Sequence, residues 1–504
     1  MNIIWNFPLF TIVLSLFSGP LCMMLSAKAA RNYTIAYESV LVAMTGCVLG
    51  YTLNTGTSFT YTMGEFPAPW GNEIRAGCLE ALIALLFAVV LLCSVVAGYH
   101  FIRKDIDESK INLYFGVLNL MTAALMAMTW TNDVFSGYVF LEILTLTSCG
   151  ILIVREIGRT TLAAVRYMIL NLMGSGLFLM GVVLLYDISG HLLMVPMRLS
   201  LAEAASDPSQ IPAISVALGT MTIGIAIKSG LFPFYFWMPD TYGRATPTSG
   251  AVLSSLVSKA YIFLLFKIFY RAVGMSVIRQ TPILKILFVL GITGMIVGSV
   301  SALRADNINR MIAFSSAAQI GYIYMGIGLG TIAGFTAAIF QIFAHALTKS
   351  LLFLSSPYLA EVSGDSLEFH ALQGSGKRDP LAARMFTIGA FSMIGIPVFA
   401  GFSAKLMFGQ AVVLGGIHWR ILVVLTALGI SSVLNALYFI RTLIRIYFDP
   451  DSTMKPSKRR RSIVDRSRRG YLLAGGVLSL LNMSLGLFSW VISDVIYKGM
   501  GMFL

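Results

Sequence analysis

Five basic side chains stand where an apolar chain should carry none. Lys228 lies in MTIGIAIKSGLFPF, Lys259 in SSLVSKAYIF, His345 and Lys349 in FQIFAHALTKSLLF, and Lys405 in AGFSAKLMF. One carboxylate joins them, Glu142 in VFLEILTLTSCG. An ammonium at the centre of a bilayer costs about 2.5–3.5 kcal/mol on insertion scales, so a chain keeps such groups where water or partner charges reach them. Lys, His and Glu have one chemistry in common, the uptake and release of a proton. The default reading of such residues inside a membrane is an ion or proton path. Glu142 and Lys228 form the natural pair: together they lower the cost of both charges, and breaking and reforming the pair drives a proton along. His345 and Lys349 are four residues apart, so a helix puts both on one face, with Gln341 one turn earlier. A histidine titrates near neutral pH and suits a relay. A lone core histidine is more often a structural hydrogen bonder, but this one is stacked with Lys and Gln. Ser254, Ser255 and Ser258 supply hydroxyls that order water around Lys259.

These residues must be positioned by membrane helices. Of the 504 residues, 57% are hydrophobic and only 12% charged, against about 25% charged in a soluble protein. Each spanning helix needs about 20 apolar residues. The sequence predicts an all-α polytopic membrane protein of about 14 transmembrane helices, near residues 3–25, 33–53, 77–100, 111–130, 134–154, 160–186, 212–236, 249–271, 282–303, 309–329, 331–357, 384–416, 421–447 and 471–497. The first segment lacks a basic start and reads as a retained helix, with no cleavable signal peptide. The five cysteines, Cys22, Cys47, Cys78, Cys93 and Cys149, form no CxxC pair and read as small core residues. There is no GxGxxG after a strand, no P-loop and no Fe–S or haem spacing. The chain is expected to carry no metal, no redox cofactor and no catalytic centre of its own.

Basic residues fall in alternate loops. Lys28, Arg31, Arg103, Lys104, Lys110, Arg155, Arg159, Arg244, Arg304, Arg310, Lys377, Arg378 and the run from Lys455 to Arg469 share one side. By the positive-inside rule that side is cytoplasmic and both termini lie outside. The bias explains most of the net charge of +13 without a nucleic-acid partner. The 455–469 run reads first as a topology anchor and second as a site for acidic lipid or an acidic subunit. On the other side, GEFPAPWGNEIRAG, Gly64 to Gly77, is expected to pack as an ordered cap, and the acidic stretch Asp187 to Ile211 to carry a short surface helix. Glu38, Glu80, Lys267, Arg271, Arg441 and Arg166 sit near predicted span ends, where headgroups and water solvate carboxylates and long basic side chains snorkel.

Span seven holds Lys228 followed by Gly230 and Pro233; span twelve holds Gly395, Pro397 and Gly401 followed by Lys405. Each is an apolar segment interrupted by Gly and Pro and marked by one lysine. Five spans separate them, and an odd offset puts the two in opposite orientations, as in inverted repeats with discontinuous helices at a midplane site. A Pro that merely kinks a helix for packing is the plainer reading; a lysine beside each interruption argues against it.

The stretch GLFPFYFWMPDTYGRATPTSGAVLSSLVSKAYIFLLFK, with HALTKSLLFL and GIPVFAGFSAKL after it, resembles the antiporter-like proton-channel subunits of respiratory complex I, Mrp-type Na+/H+ antiporters and membrane-bound hydrogenases. The resemblance covers roughly residues 80–450. GEFPAPWG and the terminal Lys405 look most similar to the D-type subunit of Mrp antiporters and its hydrogenase relatives, or to the complex I subunit whose path also ends in Lys. The sequence IRAGCLEALI from Ile74 departs from the Asp and Ser-Ala pair common in Mrp-type subunits. The long C-terminal helix arm of one complex I subunit is absent.

The resemblance implies two inverted five-helix repeats: helices 1–3 over residues 1–110, the first repeat over 111–272, the second over 280–450, then a basic cytoplasmic loop and helix 14 over 451–504. It implies a proton path of Glu142, Lys228, Lys259, His345, Lys349 and Lys405, in a subunit of the bacterial or archaeal cytoplasmic membrane. Partners implied are other membrane subunits, H+, lipid and, in an antiporter, Na+. The drive is either a Na+ gradient or redox work in an NADH:quinone oxidoreductase or energy-converting hydrogenase. The rival expectation is a solitary secondary transporter of an organic solute, which would also use broken helices but would cluster its charges at one site.

Overall fold

The computed structural model describes residues 3–66, 72–448 and 461–503. Among them, 12 helices are long and apolar enough to cross a membrane by length and composition. Two further expected spans correspond to the Ile308–Gly328 helix and to the pair of shorter apolar helices Pro380–Ile394 and Ala400–Leu414. The chain is a multi-pass, nearly all-helical membrane protein.

Local chemistry sets where helices begin. Asp133 caps the Val134–Ile153 helix through Ser136 N at 2.5 Å, Asn307 caps Ile308–Gly328 through Arg310 N at 2.9 Å, and Thr331 caps Ile332–Glu361 through Gly334 N at 3.1 Å. In each case a short polar side chain satisfies an amide that the helix leaves free. Both expected interruptions are present and close in the same way. The Ile211–Ser229 helix stops at Gly230 (φ +74°) with Leu231 N bonded to Ala226 O at 2.9 Å. The Pro380–Ile394 helix stops at Gly395 (φ +90°) with Ile396 N bonded to Phe391 O at 3.0 Å. A left-handed residue followed by this five-residue closure is how a helix turns its last carbonyls back on themselves, and glycine adopts it at least cost.

Two segments occupy the centre. The most apolar 18-residue windows of Pro247–Val273 and Ile332–Glu361 are 100% buried, against 33% for His418–Tyr447 on the outside of the bundle. The first is not a regular α-helix: π turns at Leu253–Val257 and Ile268–Val273 flank the α-helical Ser258–Lys267. Helix Ile332–Glu361 packs against Ile308–Gly328, Pro380–Ile394, Ala400–Leu414 and the long helix Arg461–Leu487. Small residues let backbones touch. A Cβ on Gly291 would stand 2.4 Å from Met325 N, so the Ile283–Leu303 and Ile308–Gly328 helices meet through glycine, as membrane helices do in the absence of a hydrophobic drive between them.

On the side away from the basic loops, strands Phe59–Thr62 and Glu73–Ala76 form an antiparallel hairpin. The expected cap over Gly64–Gly77 thus includes a strand, although residues 67–71 of it lie outside the described residues. The acidic stretch after Asp187 carries the expected helix, Met194–Ala204. Most of the basic run from Lys455 lies outside the described residues or has no described side chains; Arg468 pairs with Asp379 at 2.9 Å. The five cysteines are free and all but Cys47 are buried.

Candidate functional site

Lys228 sits in the last turn of Ile211–Ser229, fully buried, where free carbonyls and the negative end of the helix dipole suit an ammonium. Its Nζ donates to Thr145 Oγ1 at 2.7 Å and stands 5.4 Å from the centre of the Tyr261 ring. The direct Glu142–Lys228 ion pair expected from sequence is not formed. Glu142 is half-buried on Val134–Ile153, and the lysine takes the hydroxyl of Thr145, one turn further along the same helix face.

Lys259, His345 and Lys349 come together on the two central segments, all three buried. The π turn brings the Ser254 carbonyl to Lys259, whose Nζ donates to it and to Ser258 Oγ at 3.0 Å. Lys349 Nζ donates to Ile312 O at 2.9 Å and to Ser315 Oγ at 2.5 Å. Lys259 and Lys349 lie on packed segments, joined by the 2.9 Å hydrogen bond between Ser255 and Ser350. Among the described residues neither ring nitrogen of His345 has a hydrogen-bond partner. A buried polar group is nearly always bonded, so both ring nitrogens are open to a bonding partner such as water. Gln341, on its face one turn earlier, binds Gln319 instead, at 2.5 Å. The serines expected to order water around Lys259 are themselves paired, Ser254 with Ser316 and Ser255 with Ser350, each at 2.9 Å.

Lys405 lies beyond the second interruption, in Ala400–Leu414, and folds back on the helix before it. Its Nζ donates to Ile394 O at 2.6 Å and to Met393 O at 3.3 Å, the carbonyls left free where Pro380–Ile394 stops. Thr348, next to Lys349 in sequence, shares a hydrogen bond of 3.0 Å between its Oγ1 and Ser392 Oγ of the Pro380–Ile394 helix, and Asn482 Nδ2 donates to Thr348 at 2.9 Å.

One feature unites Lys228, Lys259, Lys349 and Lys405: among the described residues none makes an ion pair. Their acceptors are hydroxyls and carbonyls. A carboxylate in contact would lock a lysine as ammonium; a neutral oxygen accepts from the ammonium and from the amine alike. Such a set can pass a proton and keep its geometry. Among the described residues no group of three or more His, Cys, Asp or Glu side chains is placed to hold a metal ion.

Other charges expected at solvated span ends are buried. Glu80 and Arg271 form an ion pair at 2.6 Å with each side chain 1% exposed. Arg271 also meets Asn132 Oδ1 at 3.2 Å and lies 4.2 Å from the Phe503 ring centre. Lys267 donates to the carbonyls of Thr129, at 2.9 Å, and of Thr131. The hairpin and the chain's last turn cover this cluster: Arg75 of the hairpin reaches Met502 O at 2.5 Å. Glu38 is buried against Thr122 Oγ1 at 3.0 Å. Arg166 is exposed and 3.8 Å from Asp240. Sequence reasoning also missed Thr145, Ser315, Thr348 and Ser392 as partners; membrane hydroxyls are too common to single out without knowing which lysine they face.

A family model described as "NADH:quinone oxidoreductase/Mrp antiporter, TM" matches residues 131–431, a stretch holding all six candidate residues. The NADH-quinone oxidoreductase subunit N of Desulforudis audaxviator (strain MP104C) is 29% identical over 448 residues, 88% of this chain and 86% of its own. The D-type subunit of the Na(+)/H(+) antiporter of Bacillus subtilis (strain 168) is 24% identical over 491 residues, 96% of this chain and 95% of its own. Among solved structures, a chain of the membrane-bound sulfane sulfur reductase, an archaeal respiratory membrane complex, matches with a TM-score of 0.83 and 25% identity, covering 99% of this chain and 96% of that one.

Proposed function

The chain belongs to the NADH:quinone oxidoreductase/Mrp antiporter transmembrane family, and from that premise we propose that it is a proton-translocating subunit of a multi-subunit complex in the cytoplasmic membrane. The relatives are subunits of larger assemblies, which sets aside the solitary solute transporter. The observation that carries the reading is the set of lysines held by neutral oxygens, Lys228, Lys259 and Lys349 buried and Lys405 half-buried, with His345 buried on the same helix face as Lys349.

In this reading the basic side is cytoplasmic and both termini lie outside. The two interrupted helices, with Lys228 just before one break and Lys405 just after the other, mark two inverted repeats over 111–272 and 280–450. A proton enters near Lys228 and Lys259, passes His345 and Lys349, and crosses the Thr348–Ser392 hydroxyls to Lys405, which releases it outward. Glu142 biases the first lysine. When the charge at Lys228 moves away from Thr145, the field on Lys259 changes, and each lysine in turn favours or disfavours a proton on the next by charge proximity. The coupling runs both ways, so a neighbouring subunit that shifts one end shifts the other. The drive arrives from that neighbour, as redox work or as an opposing Na+ gradient.

The test is proton transport by the whole complex in inverted membrane vesicles, wild type against Lys228→Ala, driven by NADH, H2 or Na+ in turn. The effective drive names the complex, and the variant is expected to abolish transport. A variant that pumps normally under that drive overturns the path.

A further inference from the structure

Among the described residues three carboxylates are buried, Glu38, Glu80 and Asp379. Glu80 pairs with Arg271 at 2.6 Å and Asp379 with Arg468 at 2.9 Å. Glu38 has no such partner among those residues. Its Oε1 accepts from Thr122 Oγ1 at 3.0 Å, and its Oε2 meets no donor. Thr122 has one hydroxyl hydrogen and a second acceptor in reach, Leu118 O at 3.1 Å, so even Oε1 shares its donor. Nor does Glu38 sit at the membrane surface, where the sequence placed it. Its helix, Ala27–Thr55, begins 11 residues earlier (38 minus 27). At about 1.5 Å per residue that is about 16 Å along the axis, half of a bilayer core of about 30 Å. A charge at that depth stands only if it is paired.

The neighbouring contact repeats the pattern. Thr34 stands one turn before Glu38 on its helix, and Asn119 stands about one turn before Thr122 on Ile111–Trp130. The two helices therefore meet in two polar rungs, Thr122 to Glu38 and Asn119 Nδ2 to Thr34 Oγ1 at 3.3 Å. Thr34 Oγ1 also lies 3.5 Å from Cys22 Sγ. In the second rung too an oxygen is left over: Asn119 Oδ1 has no donor. All four residues of the rungs are buried. Buried polar atoms are nearly always satisfied, and two orphaned oxygens on adjacent rungs call for an explanation. The rungs are about one helical turn apart, roughly 5.4 Å. A cation the size of Ca2+ or Na+ lies about 2.3–2.6 Å from its oxygens, so it bridges oxygens about 5 Å apart.

We propose that Glu38, Asn119, Thr34 and Thr122 form a binding site for one monovalent alkali cation, with Na+ as the ion of fitting size and with Glu38 Oε2 and Asn119 Oδ1 as the open ligands. Charge sets the valence. One carboxylate and one monovalent ion leave nothing uncompensated, whereas a divalent ion leaves a positive charge in the apolar core. Ligand type sets the class, since carboxylate, amide and hydroxyl oxygens suit hard cations. A proton is the rival. It would settle on Glu38 alone, with no call for an amide carbonyl and two hydroxyls beside it. The ion ties Ala27–Thr55 to Ile111–Trp130 at mid-membrane. None of the lysines belongs to the site, and the site does not rest on the proton-path reading.

The experiment measures the unfolding temperature of the whole detergent-purified complex as Na+ replaces choline at constant ionic strength. A ligand bound only by the folded state raises that temperature with the logarithm of its concentration. Wild type is expected to show this rise, and Glu38→Gln, which removes the charge and keeps the shape, to lose the part of it that the site supplies. Asn119→Ala keeps the carboxylate and removes one oxygen, and is expected to raise the half-saturating Na+ concentration at least about tenfold, as the loss of one contact to a charge does. If Glu38→Gln fails to assemble, Asn119→Ala decides alone. Two results overturn the site: an unfolding temperature indifferent to Na+ in wild type, which leaves Glu38 holding a proton only, or an equal Na+ response in wild type and in each variant that assembles. Stabilisation by Ca2+ at lower concentration than by Na+, lost in Glu38→Gln, overturns the monovalent assignment. Lys228→Ala keeps the two claims apart: normal transport by that variant removes the proton path and leaves the Na+ response untouched.

Discussion

Lys259 and Arg271 lie 12 residues apart on one buried stretch of helix, and they are held in opposite ways. Lys259 sits at the middle of the bundle with a carbonyl and a hydroxyl as its acceptors. Arg271 sits at the outer end, 2.6 Å from the Glu80 carboxylate, with Asn132 and the Phe503 ring closing around it. Burial is the same; the partner differs. A guanidinium paired with a carboxylate has no proton to trade, because neither member gains by leaving the other. An amine among neutral oxygens can lose a proton and keep its place. The outer cluster is a clasp between the Cys78–Asp105 helix and the central segment, and the middle is where the proposed proton path runs.

Four variants sharpen that contrast. Arg271→Ala strands a buried carboxylate and is expected to cost about 3–5 kcal/mol, read as a large drop in the unfolding temperature of the detergent-purified complex or as loss of the chain from it. Removing both members as Glu80→Leu with Arg271→Met should recover much of that loss, since an apolar pair of similar volume leaves no charge behind. If Arg271→Ala assembles and unfolds like wild type, the clasp is not structural. Next in size, Lys259→Met is expected to leave the unfolding temperature near wild type while proton transport falls by more than about tenfold, equivalent to about 1.4 kcal/mol in a barrier. Stability lost in step with transport would put Lys259 in the same class as Arg271 and erase the contrast. Smallest, Thr145→Val removes the 2.7 Å bond to Lys228 and keeps the shape, a change of about 0.5–1.5 kcal/mol. Transport should slow several-fold with assembly unchanged. A null result would mean that Lys228 rests on Glu142 and needs no hydroxyl.

Much of the middle was legible from the chain alone. A lysine inside an apolar run stands out because its cost there is so high, and Lys228, Lys259, Lys349 and Lys405 all lie within or beside the central belt where their surroundings had put them. The interruptions at Gly230 and Gly395 were visible for the same kind of reason, since Gly and Pro in a membrane segment have few uses. The partners were not. Glu142 seemed the natural contact for Lys228 by charge, but helix spacing put Thr145 in the way. The outer cluster was misread. Glu80, Lys267 and Arg271 are near span ends, where solvation is the default; the hairpin and the last turn of the chain fold over them. That cover depends on contacts such as Arg75 to Met502, 427 residues apart, which no local pattern encodes.

The covering of Arg271 by Phe503 and Met502 also has a timetable. Arg271 leaves the ribosome 232 residues before Phe503 (503 minus 271), and at about 5–20 residues per second that gap lasts roughly 10–50 s. Through that interval Glu80 and Arg271 can find each other while the lid over them has yet to be made. The outer face is therefore open until the Ser489–Gly501 helix and the turn after it have been made.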